Sequence, residues 1–312
     1  MSKAKKRILI TGGAGFIGFH LHSVLNQHHE VFAMDILDPL NTMSNRRAEL
    51  LGGISKSDIR QSFLTASTTP DVFIHLAALT GISRSAIDPT AYLEVNVNGT
   101  LSALKQAQQS GVKYFVYASS SSVYTPSEGA VTEDSDTNRP LSFYGATKKM
   151  SEILVENYCR QHGMIAIGLR FFTVYGSWTR TDMAAFKFLT AIDRGEEVTI
   201  YQPSQLQRDF THVSDIVKGI ENLIEILPIF PEGTHEIFNI GCGQPVFVQE
   251  FAQLIAKNLG KELRMKAGIL PENEVMSTHA DTRKLTHYTG FKPQVSVEDG
   301  VAELVRWYQN FK

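Results

Sequence analysis

Tyr144 and Lys148 stand four residues apart in Tyr-Gly-Ala-Thr-Lys, at the expected start of a helix. That spacing puts both side chains on one helix face. An ammonium beside a phenol stabilises the phenolate and lowers a pKa of about 10, which a general base at neutral pH requires. Upstream, Tyr114 to Ala118 reads as a strand that runs into Ser119-Ser120-Ser121-Ser122-Val123-Tyr124. Several hydroxyls therefore fall at the carboxyl end of a parallel strand, where open α/β sheets bind ligands, and one of them could hold a reacting oxygen beside Tyr144. Neither signal is specific alone, since a YxxxK match arises about once in a chain of this length and a serine run can be a plain polar loop. Their placement relative to each other carries the weight.

A second constellation lies directly after the first expected strand. Thr11-Gly12-Gly13-Ala14-Gly15-Phe16-Ile17-Gly18 directly follows the apolar run Ile8 to Ile10 and opens a helix. Gly12 permits a tight turn, Gly15 lets the backbone approach a pyrophosphate, and Gly18 lets helix and strand pack closely. The helix N-terminus adds unpaired N–H groups and a positive dipole end for phosphates. Asp35 ends the second strand about 20 residues further on, where a carboxylate accepts hydrogen bonds from an adenosine ribose. This favours NAD over NADP, with Arg46 and Arg47 near enough to leave a 2′-phosphate as the lesser option. Asp58-Ile59, after a third strand of weak pattern, is placed beside the adenine.

These sites need a scaffold of alternating elements. The strands Ile8 to Ile10, Val31 to Met34, Val72 to Leu76, Tyr114 to Ala118 and Ile165 to Phe171 alternate with amphipathic segments, including Phe16 to Gln27, Tyr92 to Gln109 and Tyr144 to His162. The expected fold is α/β, a doubly wound parallel (Rossmann) sheet with a smaller mixed α/β part toward the C-terminus. Residues 1–172 are assigned to the dinucleotide-binding domain. Residues 210–240 return to it through a strand at Glu236 to Ile240, and 173–209 with 241–312 form the substrate part.

The remaining composition narrows the function. Of 312 residues 43% are hydrophobic, enough for a sizeable core, and the net charge of -2 provides no basic field for nucleic acid or an anionic membrane. No apolar run approaches the roughly 18 residues of a membrane span. Cys159 and Cys242 form no CxxC pair, so a reduced, cytoplasmic setting is expected, without disulfide or metal. His28-His29 reads as a surface pair and His75 as a structural residue closing a buried strand.

Nearly from end to end the chain resembles the extended short-chain dehydrogenases/reductases. The Gly-rich turn, His75-Leu76-Ala77-Ala78, Asn96-Val97-Asn98-Gly99-Thr100, the serine run with Val123-Tyr124, Tyr144 to Lys148, and Arg208-Asp209-Phe210 with Asp215 carry the resemblance. Within that family Phe171-Phe172-Thr173-Val174-Tyr175-Gly176, Trp178, Arg180, Asp182 and Met183 look most like UDP-glucuronate 4-epimerases. The resemblance implies Ser120 as catalytic hydroxyl, Tyr144 as base and Lys148 as its partner. It implies an NAD site built from Gly12, Gly15, Phe16, Ile17, Gly18, Asp35, Asp58, Ile59, Leu76, Ala77, Ala78 and Asn96, with Tyr144 and Lys148. It also implies substrate contacts at Ser121, Ser122, Thr173 and Arg180 for a carboxylate, at Phe186, Phe188 and Arg208 for uridine diphosphate, and a homodimer joined through the Tyr92 and Tyr144 helices.

The implied reaction is C4 epimerisation of a UDP-sugar through a 4-keto intermediate, from UDP-glucuronate to UDP-galacturonate. Dehydratases and decarboxylases of the family carry an acidic residue two places before the Val-Tyr tyrosine. This chain has Ser122 there, which cannot do carboxylate chemistry at neutral pH. Three departures bear on the substrate: Thr125 stands for a glycine, Ser83-Arg84 for an arginine-first pair, and Glu272-Asn273-Glu274-Val275 for a Gly-Asp-Val turn. Ile82-Ser83-Arg84-Ser85 looks more like N-acetylhexosamine epimerases, so a UDP-N-acetylhexosamine or UDP-hexose is the alternative substrate. Further alternatives are a dehydratase or decarboxylase, a reductase that releases its cofactor, and a non-enzymatic NAD(P)-binding regulator.

Overall fold

Runs of β-branched and apolar residues supply the strands, which are, in chain order, β1 (Arg7–Thr11), β2 (Glu30–Asp35), β3 (Ser55–Lys56), β4 (Val72–His75), β5 (Tyr114–Ser120), β6 (Ile165–Phe171), β7 (Thr173–Tyr175), β8 (Val198–Tyr201), β9 (Gln207–Arg208), β10 (Phe210–His212), β11 (His235–Ile240), β12 (Val246–Phe247) and β13 (Met265–Gly268). The structure, a computed structural model, describes residues 4–38, 40–61 and 69–312. Seven strands form one parallel sheet in the order β11-β6-β5-β4-β1-β2-β3, with three two-stranded pairings, β10-β7, β12-β9 and β13-β8, outside it. All residues of β4 and β6 are buried, as strands covered on both faces by helices must be. The doubly wound parallel sheet expected from the alternation is therefore present, and His235–Ile240 pairs with β6 at its edge.

Four packed clusters occur among the described residues, and two of them are the largest. One lies over the sheet, where the Phe16–Leu25 and Val213–Ile226 helices join Ile8, Ile10, Ile74, Val116, Ile167 and Phe238. The other joins the Ala184–Asp193, Val248–Leu259 and Val297–Phe311 helices through Leu189, Phe251, Ile255, Val301 and Leu304. Val248, Phe251, Ala252, Ile255 and Ala256 recur at helical spacing, so this helix has one apolar stripe to bury.

Differences from the sequence reading are local and physical. The expected Tyr92 to Gln109 helix begins at Pro89 and contains a π-helical stretch, Leu93–Asn98, that re-aims Asn96 into the protein. β3 is only two residues long and exposed, which explains its weak signal. His29 is 5% exposed, with Lys6 N–H donating to its Nδ1 at 3.4 Å, so only His28 of the pair lies at the surface. His75 is buried between the hydroxyls of Thr11 (2.8 Å) and Thr100 (3.2 Å), and burial pushes its pKa down to about 3. It is a neutral tie between β1, β4 and the Gly99–Gln109 helix. Among the described residues no group of three metal-binding side chains occurs, and no helix is long and apolar enough to cross a membrane.

Candidate active site

The sheet order reverses between β4 and β1, and the loops leaving their carboxyl ends meet there. Leu76 N–H donates to the Thr11 carbonyl at 3.0 Å. Gly12 has φ +74°, and a Cβ on it would lie 2.7 Å from Ala77 N. A Cβ on Gly18 would strike the Gly12 carbonyl. Gly15 is also needed inside the turn, since its Cβ would lie 2.9 Å from that same carbonyl. Gly15 precedes the Phe16–Leu25 helix with no side-chain cap, which leaves the first-turn N–H groups open to an anion.

Asp35 and Arg47 hold the two peptide units that flank Ala14 in this turn. Asp35 Oδ2 accepts from Ala14 N at 3.0 Å, while Arg47 Nε donates to the Ala14 carbonyl at 2.7 Å. Burial pushes the Asp35 carboxyl up, with backbone N–H groups pulling it back. Arg47 is 2% exposed and also donates to Trp178 O (2.8 Å) and Ser44 Oγ (3.1 Å). It is thus committed within the protein rather than free for a 2′-phosphate, and Arg46 pairs with Glu49 at 3.2 Å. A carboxylate at the end of β2, with Arg46 and Arg47 both engaged by protein partners, suits NAD.

Other residues expected at the dinucleotide are placed as follows. Leu76, Ala77 and Ala78 line the half-buried loop after β4. Phe16 packs into the sheet core with Ile17 against it. Asp58 is paired with Arg60 at 3.0 Å, and Ile59 is buried against Gly99. Asn96 is 1% exposed and acts as a clamp: it accepts from Leu79 N (2.8 Å) and donates to Leu79 O (3.0 Å) and Thr147 Oγ1 (3.1 Å). It joins the loop after β4 to the helix carrying Tyr144.

That helix, Phe143–His162, is capped by Ser142, whose Oγ accepts from Gly145 N at 3.0 Å. Ser85 Oγ accepts from Tyr144 N, also at 3.0 Å. Gly145 has no room for a Cβ beside the Ser122 carbonyl, so the serine turn presses directly on the first helical turn. Ser120 closes β5, and its hydroxyl accepts from Ser122 N at 3.1 Å. The Ser120 hydroxyl is near enough to the Tyr144 phenol to favour its ionised form. Lys148 is 4% exposed and donates to the Ala118 carbonyl at 3.0 Å.

The electrostatics differ from the sequence expectation. Burial raises the Tyr144 phenol above its usual value, with Ser120 and then Arg180 acting to lower it; Lys148 is not among the groups that do so. Burial pushes Lys148 down to about 8, opposed by Glu152 one turn on. Glu152 in turn accepts from Ser119 Oγ (2.6 Å) and forms a two-point pair with Arg170 (2.8 and 2.9 Å). This buried pair was missed in the sequence. An arginine within the apolar run Ile165 to Phe171, and a carboxylate four residues after Lys148, were its signals.

Of the substrate candidates, Ser121 and Ser122 form the half-buried turn beside Tyr144, and Thr173 opens β7. Arg180 forms a two-point pair with Asp182 at 2.9 and 2.7 Å. Arg208 donates to Glu274 at 3.1 Å, so the Glu272–Val275 departure supplies its partner. Phe188 is 7% exposed in the second core, and Phe186 packs edge-on against Tyr308, 6.1 Å between rings.

A profile of the NAD dependent epimerase/dehydratase family matches residues 8–241. A probable UDP-glucuronate 4-epimerase of Rhizobium meliloti is 34% identical over 98% of this chain and 98% of its own length. The crystal structure of UDP-glucuronic acid 4-epimerase from Bacillus cereus, in complex with UDP-glucuronic acid and NAD, superposes with a TM-score of 0.90 at 28% identity, covering 98% of this chain and all of the other. MoeE5, solved with UDP-glucuronic acid and NAD, superposes at 0.85 with 33% identity, covering 98% of this chain and 100% of its own. Turn, serine strand and tyrosine helix thus occur together in a chain matched along nearly its whole length, and it belongs to the NAD-dependent epimerase/dehydratase family.

Proposed function

We propose that this enzyme interconverts UDP-glucuronate and UDP-galacturonate by oxidation and re-reduction at C4. One observation carries the reading: the turn Ser121–Val123, which follows Ser120 and presses on the first turn of the Tyr144 helix at Gly145, bears serine where onward chemistry needs a carboxylate. Relatives matched over nearly the whole chain, including a probable UDP-glucuronate 4-epimerase and structures holding UDP-glucuronic acid with NAD, support the same substrate.

In this mechanism Ser120 holds the sugar O4 and Tyr144 takes its proton. Bound NAD supplies the hydride acceptor and donor for C4. Lys148, one helical turn past Tyr144 and anchored on the Ala118 carbonyl, fixes the catalytic helix against the strand that ends in Ser120. The 4-keto sugar then turns over, and Tyr144 returns the proton to the O4 of the epimer. Gly12, Gly15, Gly18 and the first turn at Phe16 and Ile17 would hold the pyrophosphate of NAD, Asp35 its ribose, and the loop Leu76 to Ala78 would line the cofactor. Asp58 and Ile59 would border its adenine, and Asn96 acts by fixing that loop to the catalytic helix.

Ser121, Ser122, Thr173 and Arg180 orient the carboxylate. A 4-keto uronate is a β-keto acid, so fixing its carboxylate also protects it from losing CO2. Arg208 meets the diphosphate, and residues 173–209 with 241–312 form the substrate part. Neutral UDP-sugars are the second reading, favoured by the MoeE5 structure with UDP-glucose. The N-acetylhexosamine signal weakens because Ser85 is turned to the Tyr144 backbone and is fully buried. Exposed Leu93, Met150 and Ile153 on the Leu93–Asn98 and Phe143–His162 segments support a homodimer joined there. Two unbridged cysteines fit a cytoplasmic setting.

An NMR time course with UDP-glucuronate, UDP-glucose and UDP-N-acetylglucosamine, without added NAD, tests this. The C4 epimer forms from the uronate; a pentose or an unsaturated sugar, or turnover of only the other two, overturns it.

A further inference from the structure

Trp178 has a backbone φ of +59°, a left-handed conformation that bulky side chains rarely adopt. Its ring is enclosed by Phe19 (5.6 Å between centroids), Trp307 (5.6 Å) and Phe311 (5.4 Å). Two of these walls belong to the Val297–Phe311 helix and the third to the Phe16–Leu25 helix behind the Gly-rich turn. The Trp178 carbonyl accepts from Arg47, whose same guanidinium holds the Ala14 carbonyl of that turn. Thr179, wholly buried, follows, and then Arg180 in its pair with Asp182. A strained backbone persists only where its surroundings over-determine it, and here both ring and carbonyl are held.

We propose that Trp178 is a positioning residue whose caged ring and left-handed backbone aim Arg180 at the sugar carboxylate and link that aim, through Arg47, to the dinucleotide turn. The inference rests on the reading of Arg180 as carboxylate ligand. The ring and carbonyl of Trp178 meet Phe19, Trp307, Phe311 and Arg47 rather than Tyr144 or Ser120, so its effect is on discrimination rather than on the chemical step.

The test compares Kd values for UDP-glucuronate and for UDP, by calorimetry, in the NAD-loaded full-length enzyme. Trp178→Gly keeps the backbone region but empties the cage, and weakens UDP-glucuronate about tenfold while leaving UDP within about twofold. Phe311→Ala, at the protein surface, shifts the same ratio by about threefold and decides the matter if the glycine variant does not fold. Trp178→Phe restores the ratio. Arg180→Ala separates the two claims. If it leaves the ratio unchanged, the carboxylate reading fails; if it moves the ratio while Trp178→Gly and Phe311→Ala do not, or weaken both ligands equally, Trp178 is structural only and the inference is overturned.

Discussion

Lys148 donates to the Ala118 carbonyl at 3.0 Å, two residues before Ser120 on the same strand. One buried cation therefore ties the catalytic helix to the strand that presents the serine. Because the ammonium is buried with its charge only partly offset by Glu152, its placement costs stability and serves chemistry.

That trade has a measurable form. Burial lowers the Lys148 pKa from 10.5 to about 8, so below about pH 8 the folded protein bears the full cost of keeping the charge. Between about 8 and 10.5 the unfolded chain holds more protons, and the stability of the cofactor-free protein rises with pH through this group. Lys148→Met removes the cost: at pH 7 it raises Tm by roughly 2–5 °C while abolishing turnover. Urea midpoints at pH 7, 8 and 9 show its advantage over wild type shrinking as pH rises.

Tyr144→Phe lowers kcat by about a hundred- to ten-thousandfold, the range of a lost acid–base group, with UDP-sugar affinity retained. Ser120→Ala lowers kcat by about ten- to a hundredfold, as expected for one hydrogen bond to a developing charge. It also loses the bond to Ser122 N that shapes the turn, so its Tm falls where that of Tyr144→Phe changes less. Steady-state assays with thermal melts separate the two effects.

Asp35→Asn weakens NAD by about ten- to a hundredfold, read as nucleotide released from purified protein. NADP does not take its place, because Arg47 is spent on Ala14, Trp178 and Ser44.

Two glycine replacements have opposite signs. Gly18→Ala drives a methyl into the Gly12 carbonyl and costs more than about 2 kcal/mol with loss of bound NAD. Gly219→Ala, within the Val213–Ile226 helix and 3.6 Å from its nearest neighbour on Phe291, is neutral or stabilises by about 0.5–1 kcal/mol. Chemical denaturation of both variants checks the contrast.

Legibility in the sequence followed the strength of the local pattern. Ile165 to Phe171 and Val248 to Leu259 were readable to the residue, because a long apolar run and a full amphipathic stripe each allow one structure. The strand Ser55–Lys56, exposed and two residues long, carries no such pattern. Nor does the π-helical stretch at Leu93–Asn98, since one extra residue per turn leaves composition unchanged. At the site, the Tyr144 and Lys148 spacing was legible, but the partners of Arg180 and Arg208 were not, because Asp182 and Glu274 meet them only through tertiary placement and loop geometry. Arg47 reads in the sequence as a possible partner of a 2′-phosphate, whereas Met43, Arg47 and Ala48 share the buried face of their helix, a stripe visible in their spacing.

The central claim is that hydride leaves C4 and returns to C4 of the same sugar. UDP-glucuronate carrying deuterium at C4 is incubated with the purified enzyme and the product read by NMR and mass spectrometry. UDP-galacturonate with the deuterium still at C4, and no net NADH in solution, is the predicted result. Loss of the label to water, its appearance at another carbon, or stoichiometric release of reduced cofactor would contradict it.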